Sequence, residues 1–153
     1  MGIWGGVEAA LSAAFELGAG TLEPLLSLTL NDFGFDGDAT YGDNELPAAP
    51  GHVLRGEIVY RGRSGFFVGP TFDVVGARFA DFANTDEVES YTLLGLRAGW
   101  SRERLSVFLE ARNLRDEAYI ASHGVRNVAG PGDAILNPGE PLSAYVGFAW
   151  QIP

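Results

Sequence analysis

Apolar and polar residues alternate at a period of two along most of this chain, and that alternation limits what it can fold into. From Leu105 to Asn113 the odd positions Leu105, Val107, Leu109 and Ala111 are apolar, while Ser106, Glu110 and Arg112 between them are polar. From Ser143 to Gln151 the even positions Ala144, Val146, Phe148 and Trp150 are apolar, and the odd ones are small, polar or Tyr. Successive side chains of a strand point to opposite faces, so each segment predicts a strand with one apolar side. Each is roughly nine residues long, enough at a tilt near 45° to cross the hydrocarbon core of a bilayer.

The rest of the chain repeats the pattern. Val7 to Leu17 sets Val7, Ala9, Leu11, Ala13, Phe15 and Leu17 against Glu8, Ser12 and Glu16. A second strand carries Pro24, Leu26, Leu28 and Leu30 on one face. A third, Val53 to Arg61, opposes Leu54, Ile58 and Tyr60 to Arg55, Glu57 and Arg61. Phe66 to Gly76 and Tyr91 to Trp100 complete the set. Pro70 lacks a ladder donor and predicts a bulge in its strand. The expectation is about seven antiparallel strands in up-and-down order.

Loop lengths are sorted by parity. Short turns near 18–21, 62–65 and 101–104 alternate with long loops over 32–51, 78–90 and 115–142. Transmembrane barrels of bacterial outer membranes show this asymmetry, with short periplasmic turns and long extracellular loops. Phe15, Tyr60, Phe66, Trp100 and Trp150 lie on the apolar face beside a short turn or the C-terminus, as an aromatic girdle at one interface would. The apolar face is then expected to meet lipid. Glu8, Glu16, Arg55, Glu57, Asp73, Arg97, Glu110 and Arg112 are expected to face the lumen, where Arg–carboxylate pairs would stabilise the wall.

Composition narrows the alternatives. A hydrophobic content of 46% is ordinary for a soluble protein, but it also suits a barrel whose two faces average out along each strand. No run approaches 18 apolar residues, which excludes a membrane-spanning helix. The formal net charge of −10, with no Lys and no basic cluster, argues against nucleic acid as a partner. About thirteen of the twenty acidic residues fall in the long loops, where solvation explains them, while Arg61, Arg63, Arg102 and Arg104 gather at the short turns. There is no Cys for disulfides or thiolate metal sites, and His52 and His123 are too scattered to form a metal site. No nucleophile, cofactor or metal constellation accompanies the charged pairs, so no enzyme is expected. The N-terminus has neither a basic n-region nor an apolar h-region. An outer-membrane protein needs a signal peptide, so the chain is expected to be a fragment.

Several stretches resemble the C-terminal part of TonB-dependent outer-membrane receptors, the family that takes up ferric siderophores. Gly6-Val7-Glu8 resembles the family's recurrent "GVE", and Leu46-Pro47 with Pro50 and His52 resembles its strand entry. The stretch from Tyr91 to Gly99 is similar to its "Y.LLNLRAGY" strand. Asn113-Leu114-Arg115-Asp116-Glu117-Ala118-Tyr119 is similar to its "NLFDKEY" box. Pro138-Gly139-Glu140-Pro141 resembles the approach to the last strand, with Leu142 where an Arg is usual. The pattern Tyr145-x-Gly147-x-x-Trp150-x-Ile152 resembles the terminal signal read by the barrel-assembly machinery, although the family ends on Phe.

The resemblance implies an all-β transmembrane barrel segment belonging to a larger barrel of about 22 strands, with the plug domain absent over residues 1–153. It implies as partners outer-membrane lipid, the plug and remaining strands of the parent, the TonB system, the assembly machinery and an iron complex. His123, in the longest loop, becomes a possible contact to that substrate. Two other readings compete. One is a small stand-alone barrel acting as a structural anchor. The other is a soluble β-sandwich binding domain, which would have to bury its apolar faces against each other.

Overall fold

The computed structural model describes residues 2–130, 132–133 and 135–152. Every regular element among them is a strand: β1 (Gly2–Ser12), β2 (Phe15–Leu17), β3 (Gly20–Phe35), β4 (His52–Gly62), β5 (Phe66–Val75), β6 (Arg78–Phe79), β7 (Glu87–Val88), β8 (Tyr91–Arg102), β9 (Leu105–Arg112), β10 (Ile120–His123), β11 (Leu136–Pro138) and β12 (Ser143–Trp150). One antiparallel sheet follows the path β1-β3-β4-β5-β8-β9-β12, with β2 also paired to β3. The path is open, with β1 and β12 at its edges, so the chain does not close a small barrel. Neither is it a sandwich, because its apolar face is left uncovered: Leu11 is 64% exposed and Phe148 79%.

The seven expected segments form this path, with two adjustments made by proline. The first expected strand is interrupted at Ala13–Ala14, yet β1 and β2 keep one register against β3, from Gly2↔Phe35 through Leu11↔Leu26 to Phe15↔Leu22. Ala13 donates its N–H to the Pro24 carbonyl at 3.2 Å, and Pro24 has no N–H to return. The missing donor breaks the strand there without shifting it. Pro70 acts the same way, and the expected bulge is not formed. Its pairing with β8 is continuous from Phe66↔Trp100 to Val75↔Tyr91. Towards β4 the ladder stops between Glu57↔Thr71 and Tyr60↔Val68 and resumes at the same offset. Pro70 removes a bond and inserts no residue.

The larger departure lies in the long loops. Residues 78–90 and 115–142, expected as loop, contain the paired strands β6–β7 and β10–β11. At two to four residues these pieces carry too little alternation to be read from sequence, and their pairing is fixed by tertiary contacts. Together the loops make a cap with a small core of Ala80, Val88 and Ile135, flanked by Ile120 and Ala129. Outside the cap, the buried apolar side chains of the described residues are Val59, Phe67 and Val75, all on the charged face. A water-soluble sheet buries its apolar side. This one does the reverse.

The middle loop holds the other two. Glu45 donates its N–H to Asn84 Oδ1 at 2.7 Å, and Asn84 Nδ2 donates back to the Glu45 carbonyl at 3.0 Å. Asn44 Nδ2 donates to the Phe82 carbonyl at 2.8 Å. On the other side, Phe82 N–H donates to the Arg126 carbonyl at 3.0 Å and Arg126 N–H to the Ala80 carbonyl at 3.2 Å.

Candidate functional site

The antiparallel register carries one face across the whole sheet. Glu8 stands opposite Thr29, Thr29 opposite Val53, Arg55 opposite Asp73, Arg97 opposite Glu110 and Arg112 opposite Ser143. The residues expected on the charged side (Glu8, Arg55, Glu57, Asp73, Arg97, Glu110 and Arg112) therefore share it. All of them except Glu8 bound a cavity of about 410 Å³, with Leu25, Phe72 and Leu93 among its apolar lining.

The pairs that form are partly those that register alone suggests. Arg55 Nε lies 3.0 Å from Asp73 across the β4–β5 pair. Arg97 bypasses Glu110 and bonds Glu57 at 2.8 Å, two strands away, leaving Glu110 to Arg112 on its own strand at 2.7 Å. Arg61 and Glu23 meet at 3.2 Å, and Arg63 and Glu16 at 3.8 Å, beside the short turns. These side chains are partly solvated, so solvent screening leaves each pair only a small contribution to stability. Their chemical consequence is a wall of alternating fixed charges with little net charge of its own, suited to meeting another polar surface.

Towards the short turns the same face carries a row that alternates large and small: Phe67, Gly99, Phe108 and Gly147 stand opposite one another in turn. A Cβ on Gly99 would come within 2.6 Å of the Phe67 ring, and one on Gly147 within 2.3 Å of the Phe108 ring. The rings lie across glycines because only a missing side chain leaves them room. On the opposite face Phe15, Tyr60, Phe66, Trp100 and Trp150 gather at the short-turn end. Phe66 stands opposite Trp100 and Leu105 opposite Trp150. The Trp100 indole donates to the Ser64 carbonyl at 2.9 Å.

Three groups in the loops were not singled out by sequence. Asp81 is fully buried and accepts bonds from Thr85 N–H at 2.9 Å, Thr85 Oγ1 at 2.5 Å and Ala129 N–H at 2.9 Å. Burial pushes its pKa up, but these bonds outweigh it and hold the carboxyl below the usual range. Arg78, also buried, donates from Nη2 to the Ile120 carbonyl at 2.8 Å and lies over the Tyr91 ring at 5.9 Å; its Nη1 is enclosed with no hydrogen-bond partner among the described residues. Phe35, Tyr41 and Phe82 form an aromatic cluster, with ring centroids 5.1–6.2 Å apart. No short motif announces any of them, because each depends on loops distant in sequence. His123 sits in β10 opposite Leu136, with Nδ1 3.3 Å from the Gly124 carbonyl and Nε2 enclosed in protein. His52 begins β4, apart from it. Among the described residues no group of three or more His, Cys, Asp or Glu converges as a metal site would require.

Comparison with solved structures matches this architecture. The siderophore receptor PiuA from Acinetobacter baumannii superposes with a TM-score of 0.73 at 18% identity, covering 95% of this chain and 21% of that one. The ferric yersiniabactin uptake receptor FyuA from Yersinia pestis gives 0.69 at 20% identity, covering 94% of this chain and 22% of that one. BauA, the ferric preacinetobactin receptor of Acinetobacter baumannii, gives 0.59 at 14% identity, covering 95% and 26%. The chain thus spans between a fifth and about a quarter of the length of these receptors. Residues 6–114 match the family model described as TonB dependent receptor-like, beta-barrel. With most of its length inside that match and its sheet superposing on barrels of the same kind, the chain belongs to the TonB-dependent receptor β-barrel family.

Proposed function

We propose that this chain is the C-terminal part of the barrel of an outer-membrane receptor that takes up a ferric siderophore by TonB-dependent transport. The observation that carries this reading is the inverted sheet. Its apolar face is exposed, with Leu96 38% and Leu109 43% accessible even in the middle of the sheet, while its charged face bounds a cavity. Such a sheet is stable where the apolar side meets hydrocarbon and the charged side meets water or polar protein.

On this reading Phe15, Tyr60, Phe66, Trp100 and Trp150 belong to the periplasmic interface. Glu8, Arg55, Glu57, Asp73, Arg97, Glu110 and Arg112 face the lumen and the plug domain of the parent. The free edges of β1 and β12 pair with the remaining strands, since unpaired backbone groups in lipid each cost several kcal/mol. The cap lies outside the cell, where its aromatic cluster and the strand bearing His123 take part in capturing the iron complex. The segment from Tyr145 to Ile152 serves the barrel-assembly machinery. Transport itself needs the plug and TonB.

Deleting the gene that carries this segment, and following uptake of radioiron supplied as individual ferric siderophores, tests the proposal. Loss of uptake for one of them, restored by the intact gene only when TonB is present, supports it. Unchanged uptake of every iron complex tried, or loss of another cargo instead, overturns the assignment to iron.

A further inference from the structure

β9 and β12 are neighbours in the sheet, yet residues 113–142 separate them, far more than a tight hairpin turn. We propose that residues 113–119 and 138–142 form a clip that replaces the turn. It would set the β9–β12 register and insulate it from the part of the loop lying between them.

Asn113 is the centre of the clip. It is 3% exposed and adopts φ 48°, a left-handed conformation that asparagine tolerates better than other side chains. Its Nδ2 donates to the Glu117 carbonyl at 2.9 Å and, across the loop, to the Glu140 carbonyl at 3.0 Å, while its Oδ1 accepts Glu117 N–H at 2.9 Å. Three further contacts join the same two segments. Leu142 N–H donates to Asp116 Oδ1 at 2.9 Å, and Gly139 N–H donates to the Tyr119 carbonyl at 2.8 Å. The Tyr119 ring lies against Gly139, where a Cβ would come within 2.0 Å of it. Glu140 then ties the clip to the sheet, accepting from the Tyr145 hydroxyl and lying 3.7 Å from Arg112.

Each root of the loop thus holds the other through side chains as well as backbone. Closing a loop costs entropy that grows with the logarithm of its length, so a clip at the roots sets a short effective loop whatever lies beyond it. The sequence beyond the clip can then differ without disturbing the strands beneath.

Amide hydrogen exchange of the whole parent barrel that carries this segment, folded in detergent micelles, tests this. Asn113→Gly keeps the left-handed backbone and removes the amide, and should raise exchange about tenfold across residues 108–112 and 143–147 while β4–β5 amides stay unchanged. Gly139→Val, which drives a side chain into Tyr119, should act on the same amides. Replacing residues 121–137 by a short Gly-Ser linker should leave them protected to within about twofold. Two outcomes would overturn the clip. One is loss of protection in the linker variant as large as in Asn113→Gly. The other is unchanged protection in Asn113→Gly.

Discussion

Replacing Asp81 by Ala should unlatch the cap while leaving the sheet intact. The Asp81 carboxylate accepts N–H groups from its own loop (Thr85, 2.9 Å) and from the longest loop (Ala129, 2.9 Å), besides the Thr85 hydroxyl at 2.5 Å. A hydrogen bond to a charged group is worth roughly 1.5–3 kcal/mol, and water that enters on opening recovers part of the loss. Favouring the open cap by roughly 2–4 kcal/mol increases its population roughly thirtyfold to several-hundredfold. Trypsin reads this directly, because every basic cleavage site in the chain is Arg. The backbone at Arg126 is held against Ala80 and Phe82, as a parallel bridge with Asp81. With opening fast relative to cleavage, the cutting rate after Arg126 should rise by that same factor. Cutting after the exposed Arg115 serves as the internal standard and should not change. An unchanged rate at Arg126 would refute the latch, and an equal rise at every Arg would mean that the whole sheet had opened.

Three further outcomes follow from the same contacts. Leu96→Arg should block stable insertion of the barrel, at roughly 2–4 kcal/mol for a cation on the lipid side, while Arg97→Leu, one residue along, should be much milder; heat-modifiable gel migration compares them. Gly99→Val should destabilise the sheet by roughly 1–3 kcal/mol, because the new side chain meets the Phe67 ring; the denaturant midpoint for unfolding from micelles measures it. Acid should loosen the cap. Asp81 has a folded pKa below its unfolded value near 3.8, so its contribution is complete above that value and is lost as pH falls through the folded one. Glu140, held low chiefly by the Tyr145 hydroxyl, should release in the same direction from its own value near 4.5. Amide exchange measured from pH 5 downward should rise first in the cap, and β4–β5 protection should outlast it.

The strands and their faces were legible because a period of two survives over about eight to ten residues, as in β8, β9 and the middle of β3, whereas residues 32–35, expected as loop, break the period and still extend β3. Arg55, Arg97 and Glu110 could be assigned to one face from parity alone. Which carboxylate each Arg chooses could not, since Arg97 reaches Glu57 across two strands and passes over the residue directly opposite. Pro70 was visible as a missing donor, while Pro24 was read only as part of an apolar face, and sequence does not say whether a strand answers a proline by bulging or by losing one ladder bond. The cap was hidden because its strands are short and its ties join distant residues, such as Asn84 to Glu45 and Asp81 to Ala129. The Asn113 and Gly139 motifs were each recognisable by resemblance. Only the fold brings them into contact.

Spin-label accessibility along β9 in lipid bilayers tests the central claim most directly. Single cysteines carrying a nitroxide at positions 105–112 would be exposed in turn to oxygen, which partitions into hydrocarbon, and to a water-soluble nickel chelate. If the apolar face meets lipid and the charged face lines the lumen, oxygen collisions peak at 105, 107, 109 and 111. Chelate collisions then peak at 106, 108, 110 and 112. A reversed phase, or no alternation between the two reagents, would contradict the account.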